Sequence, residues 1–89
     1  MSLINKRSEI EWTPYLATAF CEGFGEGTNA TPEEQIEAWA YLIKTGTCWS
    51  LQGWFGRAAS NLMERNLIST EGIINWELLD ELNNEPSDE

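Results

Sequence analysis

The chain has 89 residues, of which 15 are Asp or Glu, 5 are Lys or Arg and none is His, giving a formal charge of -10 and a pI near 4.2. That length suffices for one small domain, since single cores run to about 100–150 residues. Without histidine there is no Ser-His-Asp or Cys-His arrangement, no His-ligated zinc and no imidazole proton shuttle, and a pair of cysteines cannot build a four-thiolate metal site. Phosphate backbones and anionic lipid repel such an acidic chain, which argues against direct nucleic-acid or membrane-surface binding.

The stretch Met1-Ser2-Leu3-Ile4-Asn5-Lys6-Arg7 places its positive charges after a short apolar start and lacks the apolar run of about 7–15 residues that marks a signal peptide. No segment reaches the roughly 20 apolar residues that span a bilayer. The expectation is a cytoplasmic protein. Cys21 and Cys48 each sit in an apolar stretch and are expected as buried reduced thiols, a single bridge between them being the alternative.

A hydrophobic content of 42%, with five Trp, marks a chain that folds despite its charge. Residues 8–13 read as a turn or kinked lead-in. Thr13 is an N-cap ahead of Pro14, and Tyr15, Leu16, Ala19 and Phe20 then fall on one helical face. The glycine-rich segment 23–29 ends this helix in a loop.

Thr31, Pro32 and Glu34 form the clearest start signal, a capping box, for a helix from Pro32 to about Thr45. Ile36, Trp39, Ala40 and Ile43 make its apolar stripe, Glu33, Glu34 and Glu37 load its first turns, and Gly46 stops it. A third helix is expected from about Cys48 to Arg65, with Leu51, Phe55, Ala58, Ala59 and Leu62 inward. Gly53 and Gly56 either let a neighbouring helix approach closely or divide this segment into two shorter helices, and close packing is the preferred reading. Asn66 reads as a left-handed stop, with Leu67 packing back on the helix.

Asn75 then caps a short helix to about Leu82, with Ile74 placed to staple against Leu79. The fold class expected is all-α: a compact bundle of three to four helices over residues 1–82, followed by an acidic tail at 83–89. Its radius of gyration should be about 12 Å.

Few constellations suggest chemistry. Gly23-x-Gly25-x-Gly27 before a helix start has the glycines of a phosphate loop, but Glu22, Glu26, Glu33 and Glu34 surround it and no strand precedes it. Glu33, Glu34 and Glu37 lie where a solvated helical turn is expected, whereas general acid catalysis needs a carboxyl in an apolar pocket. No calcium-loop pattern occurs. No enzyme activity, cofactor or metal is expected.

The run Thr45-Gly46-Thr47-Cys48-Trp49-Ser50-Leu51-Gln52-Gly53-Trp54-Phe55-Gly56-Arg57 is the unusual part. Trp49 and Phe55 can be core with Arg57 paired to a carboxylate, or some of these aromatics can stay exposed as anchors, since Trp and Arg dominate binding hot spots. The sequence after it has the cadence of a helix-turn-helix but lacks a basic face for a groove.

Within this stretch, Trp39-x-x-Leu42-Ile43-x-Thr45-Gly46-x-x-Trp49-x-Leu51-Gln52-Gly53-x-Phe55-Gly56-Arg57-x-Ala59 resembles the shared core of a family of very small, uncharacterised bacteriophage proteins. That core has a helix ending in Thr-Gly, then Trp-x-Leu-Gln-Gly, an aromatic and Gly-Arg. The resemblance covers residues 33–69. It implies a phage origin and expression in a bacterial cytoplasm, and it carries no catalytic residue.

The expected function is that of a non-enzymatic accessory protein that binds and modulates a host bacterial protein, with Trp49, Trp54, Phe55 and Arg57 as anchors. One alternative is an acidic DNA mimic, with Glu33, Glu34 and Glu37 on one helix and Asp80, Glu81, Glu85, Asp88 and Glu89 near the end occupying the basic groove of a nucleic-acid-binding host protein. Another is a homo-oligomeric structural component that buries the extra Trp between copies.

Overall fold

The computed structural model describes residues 4–23, 25–51 and 53–83, with the side chains of Glu26 and Asn83 excepted. Glu85, Asp88 and Glu89 therefore lie outside the described residues. The described residues form four α-helices: α1 (Pro14–Glu22), α2 (Pro32–Thr45), α3 (Gly53–Glu64) and α4 (Trp76–Asn83). This is a compact all-α bundle, with a radius of gyration of 12.8 Å.

Local chemistry sets most helix ends. Thr13 is extended and its Oγ1 accepts the Leu16 N–H at 3.1 Å, while Pro14 occupies the first helical turn, where a missing N–H costs nothing. Around Thr31 both halves of the capping box form: Thr31 Oγ1 accepts the Glu34 N–H at 3.1 Å and Glu34 Oε1 accepts the Thr31 N–H at 3.0 Å. α3 ends at Asn66, which takes φ 65°. There the Asn66 N–H donates to Met63 O and the Leu67 N–H to Leu62 O, the paired bonds of a Schellman turn. Asn75 Oδ1 accepts the Leu78 N–H at 3.1 Å and caps α4.

α1 packs along α2. Its last turn is met by the 3-10 turn Gly25–Gly27 so closely that a Cβ on Gly27 would stand 2.3 Å from Ala19 O. The α1 core face differs from expectation in one place: Ala17 is buried with Ala19 and Phe20, whereas Tyr15 is exposed. α2 buries Ala38, Ala40, Leu42 and Ile43 beneath α1 and the aromatic residues of α3, and Phe55, Ala59, Leu67, Ile68 and Ile74 complete the core.

The third helix starts later than the sequence suggests. After Gly46, at φ 79°, the chain makes a 3-10 turn over Thr47–Trp49, and α-helical geometry begins at Gly53. The turn buries Cys48 and folds the Trp49 ring back across Gly56, where a Cβ would lie 3.5 Å from two ring carbons. A straight helix from Cys48 would place those two positions seven residues apart on one face rather than in contact. The neighbour at Gly56 is thus a side chain of the same segment rather than the packed helix expected there, and Gly53 stands where the segment divides into a 3-10 turn and α3.

The largest departure concerns Glu37. It was expected among the solvated carboxylates of α2 but is buried, at 1% exposure. The reason lies at the N-terminus: residues 4–12 run without helix or strand across α2 and α4, and Glu37 receives hydrogen bonds from Arg7, Ser8 and Trp12. A buried carboxylate is tolerable when donors replace its water. All buried polar side-chain atoms among the described residues have partners.

Candidate functional site

Trp49 is displayed by the 3-10 turn rather than by a helix, and it is 53% exposed. Its ring forms one end of an open groove of about 520 Å³ that continues over Gly53, Gly56, Arg57, Ser60, Asn61 and Glu64. From Gly53 onward these positions recur three and four residues apart, which puts them on one face of α3. Two glycines and a serine keep the floor low, so a partner can approach the helix backbone closely.

Arg57 is exposed and lies back along the helix, with Nη1 3.2 Å from where a Gly53 Cβ would be. Among the described residues it forms no ion pair. The expectation that it pairs with a helix carboxylate is not met. An exposed indole and an exposed guanidinium therefore share one groove, with the Glu64 carboxylate at the far end.

The other two sequence-predicted anchors are placed differently. Phe55 is 1% exposed and belongs to the core, because it faces α2 on the opposite side of α3 from Gly56 and Arg57. Trp54 is half-buried. Its ring lies 4.0 Å from that of Phe55 and meets Trp39 edge-on at 6.1 Å, and Phe55 in turn lies 5.7 Å from Trp39. These three rings fix α3 against α2, and each such pair adds about 0.5–1.5 kcal/mol beyond burial. Thus the groove retains Trp49 and Arg57 of the four predicted anchors, and Trp54 and Phe55 lie outside its lining.

The structure adds Ser60, Asn61 and Glu64 to the site. Their spacing from Arg57 was visible as a helical stripe, but a polar stripe on a helix ordinarily means a solvated face, and only the folded-back Trp49 turns it into a groove.

The described acidic residues differ in their surroundings. Glu33 and Glu81 are exposed, Glu34 is engaged in the α2 cap, Asp80 pairs with Arg7 at 3.0 Å, and Glu37 is enclosed.

Cys21 and Cys48 are free thiols, half-buried and buried respectively. Burial pushes both thiols above their ordinary pKa, reinforced at Cys21 by Cys48 and Glu22, so neither is an activated nucleophile. Among the described residues no cluster of three His, Cys, Asp or Glu side chains is placed to hold a metal, and no helix is long and apolar enough to cross a membrane. The groove offers contacts for recognition: an aromatic face, a cation and polar side chains on a low floor.

No curated protein and no solved structure matches the chain. A family model described as a domain of unknown function, DUF7417, matches residues 25–83, which take in α2, α3, α4 and the whole of the groove. The chain belongs to this DUF7417 family.

Proposed function

We propose that this protein is a non-enzymatic bacteriophage accessory protein that acts in the host cytoplasm by binding and modulating a host protein through the α3 groove. Trp49 and Arg57 are its anchors, and Trp54 with Phe55 holds α3 against Trp39 of α2. The observation that carries this reading is a large aromatic, 53% exposed, held across a glycine in one groove with an exposed guanidinium that forms no ion pair among the described residues. A partner covering both would desolvate them together, which is how a few residues come to supply most of a binding energy. The phage assignment is supported by the resemblance of the Thr-Gly-x-x-Trp-x-Leu-Gln-Gly-x-Phe-Gly-Arg core to small phage proteins.

The test is an affinity capture from bacterial lysate at low and high salt, comparing wild type with Trp49→Ala and with Glu33→Gln/Glu81→Gln. A partner that survives high salt and is lost with Trp49→Ala supports the groove. A partner retained by Trp49→Ala but released by salt, or by the double charge variant, transfers the function to the acidic surface. If wild type captures nothing, host binding is rejected in favour of self-association.

A further inference from the structure

Residues 4–8, which bend at Ile4, Arg7 and Ser8, sit between α2 and α4 in the manner of a bound peptide. Their backbone is read directly: Glu37 Oε2 accepts the consecutive N–H groups of Arg7 at 2.7 Å and Ser8 at 2.9 Å, and Trp76 Nε1 donates to Asn5 O at 2.7 Å. Their side chains are read as well. The Asn5 amide both donates to Ile74 O and accepts the Ile74 N–H, each at 2.9 Å, reproducing the pairing of a neighbouring strand. Ile4 is buried in the core, the Ser8 hydroxyl donates to Glu37 Oε1 at 2.5 Å, and the Arg7 guanidinium lies 4.3 Å above the Trp76 ring while pairing with Asp80.

This combination of backbone bonds for affinity and side-chain contacts for sequence is the general logic of peptide recognition. The groove also needs an occupant. Glu37 is 1% exposed and three of the four hydrogen bonds to its carboxylate come from Arg7 and Ser8, the fourth coming from Trp12, so an empty groove would leave the carboxylate with the Trp12 donor alone.

We propose that the Glu37, Ile74, Trp76 and Asp80 groove is a recognition site for a short bent segment of the pattern apolar-Asn-x-Arg-Ser, and that a second copy of this chain supplies its own residues 4–8 to it in trans. Residues 4–8 make their groove bonds to α2, α4 and Ile74, and none to α1, so exchange between copies preserves each of those bonds. Trp12 stays anchored on its own copy, donating to Glu37 and meeting the Phe20 ring edge-on at 4.9 Å, and residues 9–11, without helix or strand, provide the hinge. Because the same contacts form in both arrangements, the tethered segment wins until the copies approach its effective concentration, which is of millimolar order for a short tether.

The test uses two full-length variants. Asn5→Ala/Arg7→Ala has an intact groove and a weakened arm, and Glu37→Gln has an intact arm and a weakened groove. A dye-labelled peptide of residues 1–12, followed by fluorescence anisotropy, should bind the arm variant at least about tenfold more tightly than wild type, whose groove is already filled. The same peptide carrying Asn5→Ala and Arg7→Ala should not bind. Mixed in equal amounts, the two protein variants should form a heterodimer in native mass spectrometry that neither forms alone. A folded arm variant that ignores the peptide overturns the recognition site, and peptide binding without heterodimer overturns the second copy as its occupant. If the arm variant does not fold alone, its refolding with peptide decides instead: recovery of cooperative melting supports the site, and no recovery overturns it.

Discussion

Glu37 and Arg7 meet through the wrong group for an ion pair: the carboxylate accepts the Arg7 backbone N–H at 2.7 Å, while the Arg7 guanidinium points to Asp80. The enclosed charge is thus balanced by N–H and O–H dipoles rather than by a cation. Glu37→Gln would turn an NH2 group toward donors on at least one side, leaving them facing one another. We expect a loss of about 2–4 kcal/mol, against a change within about 0.5 kcal/mol for Glu33→Gln on the exposed face of the same helix. Urea denaturation followed by circular dichroism distinguishes them, and equal midpoints would contradict the enclosure of Glu37.

Three glycines separate backbone strain from lack of room. Gly23 takes φ +79° with nothing within 4 Å of its would-be Cβ, so Gly23→Ala should cost about 1 kcal/mol for the left-handed conformation alone. Gly27 has no positive φ, yet its Cβ would stand 2.3 Å from Ala19 O, a backbone atom that cannot swing aside. Gly72 has both problems, at φ +80° and 2.7 Å from Lys44 Cβ. Gly27→Ala and Gly72→Ala should each cost about 1–3 kcal/mol or more, with Gly72→Ala the worse. Thermal melts of the three alanine variants check the order.

Trp49 and Phe55 should respond to truncation in opposite ways. Phe55→Ala empties a core position that contacts both Trp39 and Trp54, and should cost about 3–5 kcal/mol. Trp49→Ala removes a ring that is 53% exposed and should cost less than about 1 kcal/mol, while abolishing capture of the partner. Paired measurements of unfolding midpoint and binding reveal this split. A Trp49→Ala protein as unstable as Phe55→Ala would make Trp49 a structural residue.

The helix ends were legible in the sequence because each depends on neighbours within a few residues. Thr13 with Pro14, Thr31 with Glu34, Asn66 and Asn75 all do what their side chains do locally. What escaped depends on contacts between distant segments. Glu33 and Glu37 look alike on α2, and only Arg7, Ser8 and Trp12, from 25 to 30 positions away, take Glu37 out of water. The candidate site was half legible for the same reason: the aromatic excess near α3 was plain, but periodicity could not say that Trp49 folds over Gly56 while Phe55 turns to Trp39.

The cysteines make stability depend on alkaline pH in a defined direction. Burial, then Cys48 and Glu22, raises the Cys21 thiol far above its ordinary value of 9.0, and burial raises Cys48 as well. Below that value the native and unfolded chains both keep the thiol protons, so the full stability is present. As pH climbs past 9.0 the unfolded chain gives up protons that the native chain still holds, and stability falls. Replacing Cys21 with alanine removes the larger of the two contributions, so Cys21→Ala should lose less stability than wild type between neutral pH and pH 10, whatever its starting midpoint. Urea titrations at both pH values give the two slopes, and iodoacetamide should label Cys21 slowly at pH 8 until urea unfolds the chain. Rapid native labelling would show that the thiol is not held protonated by burial.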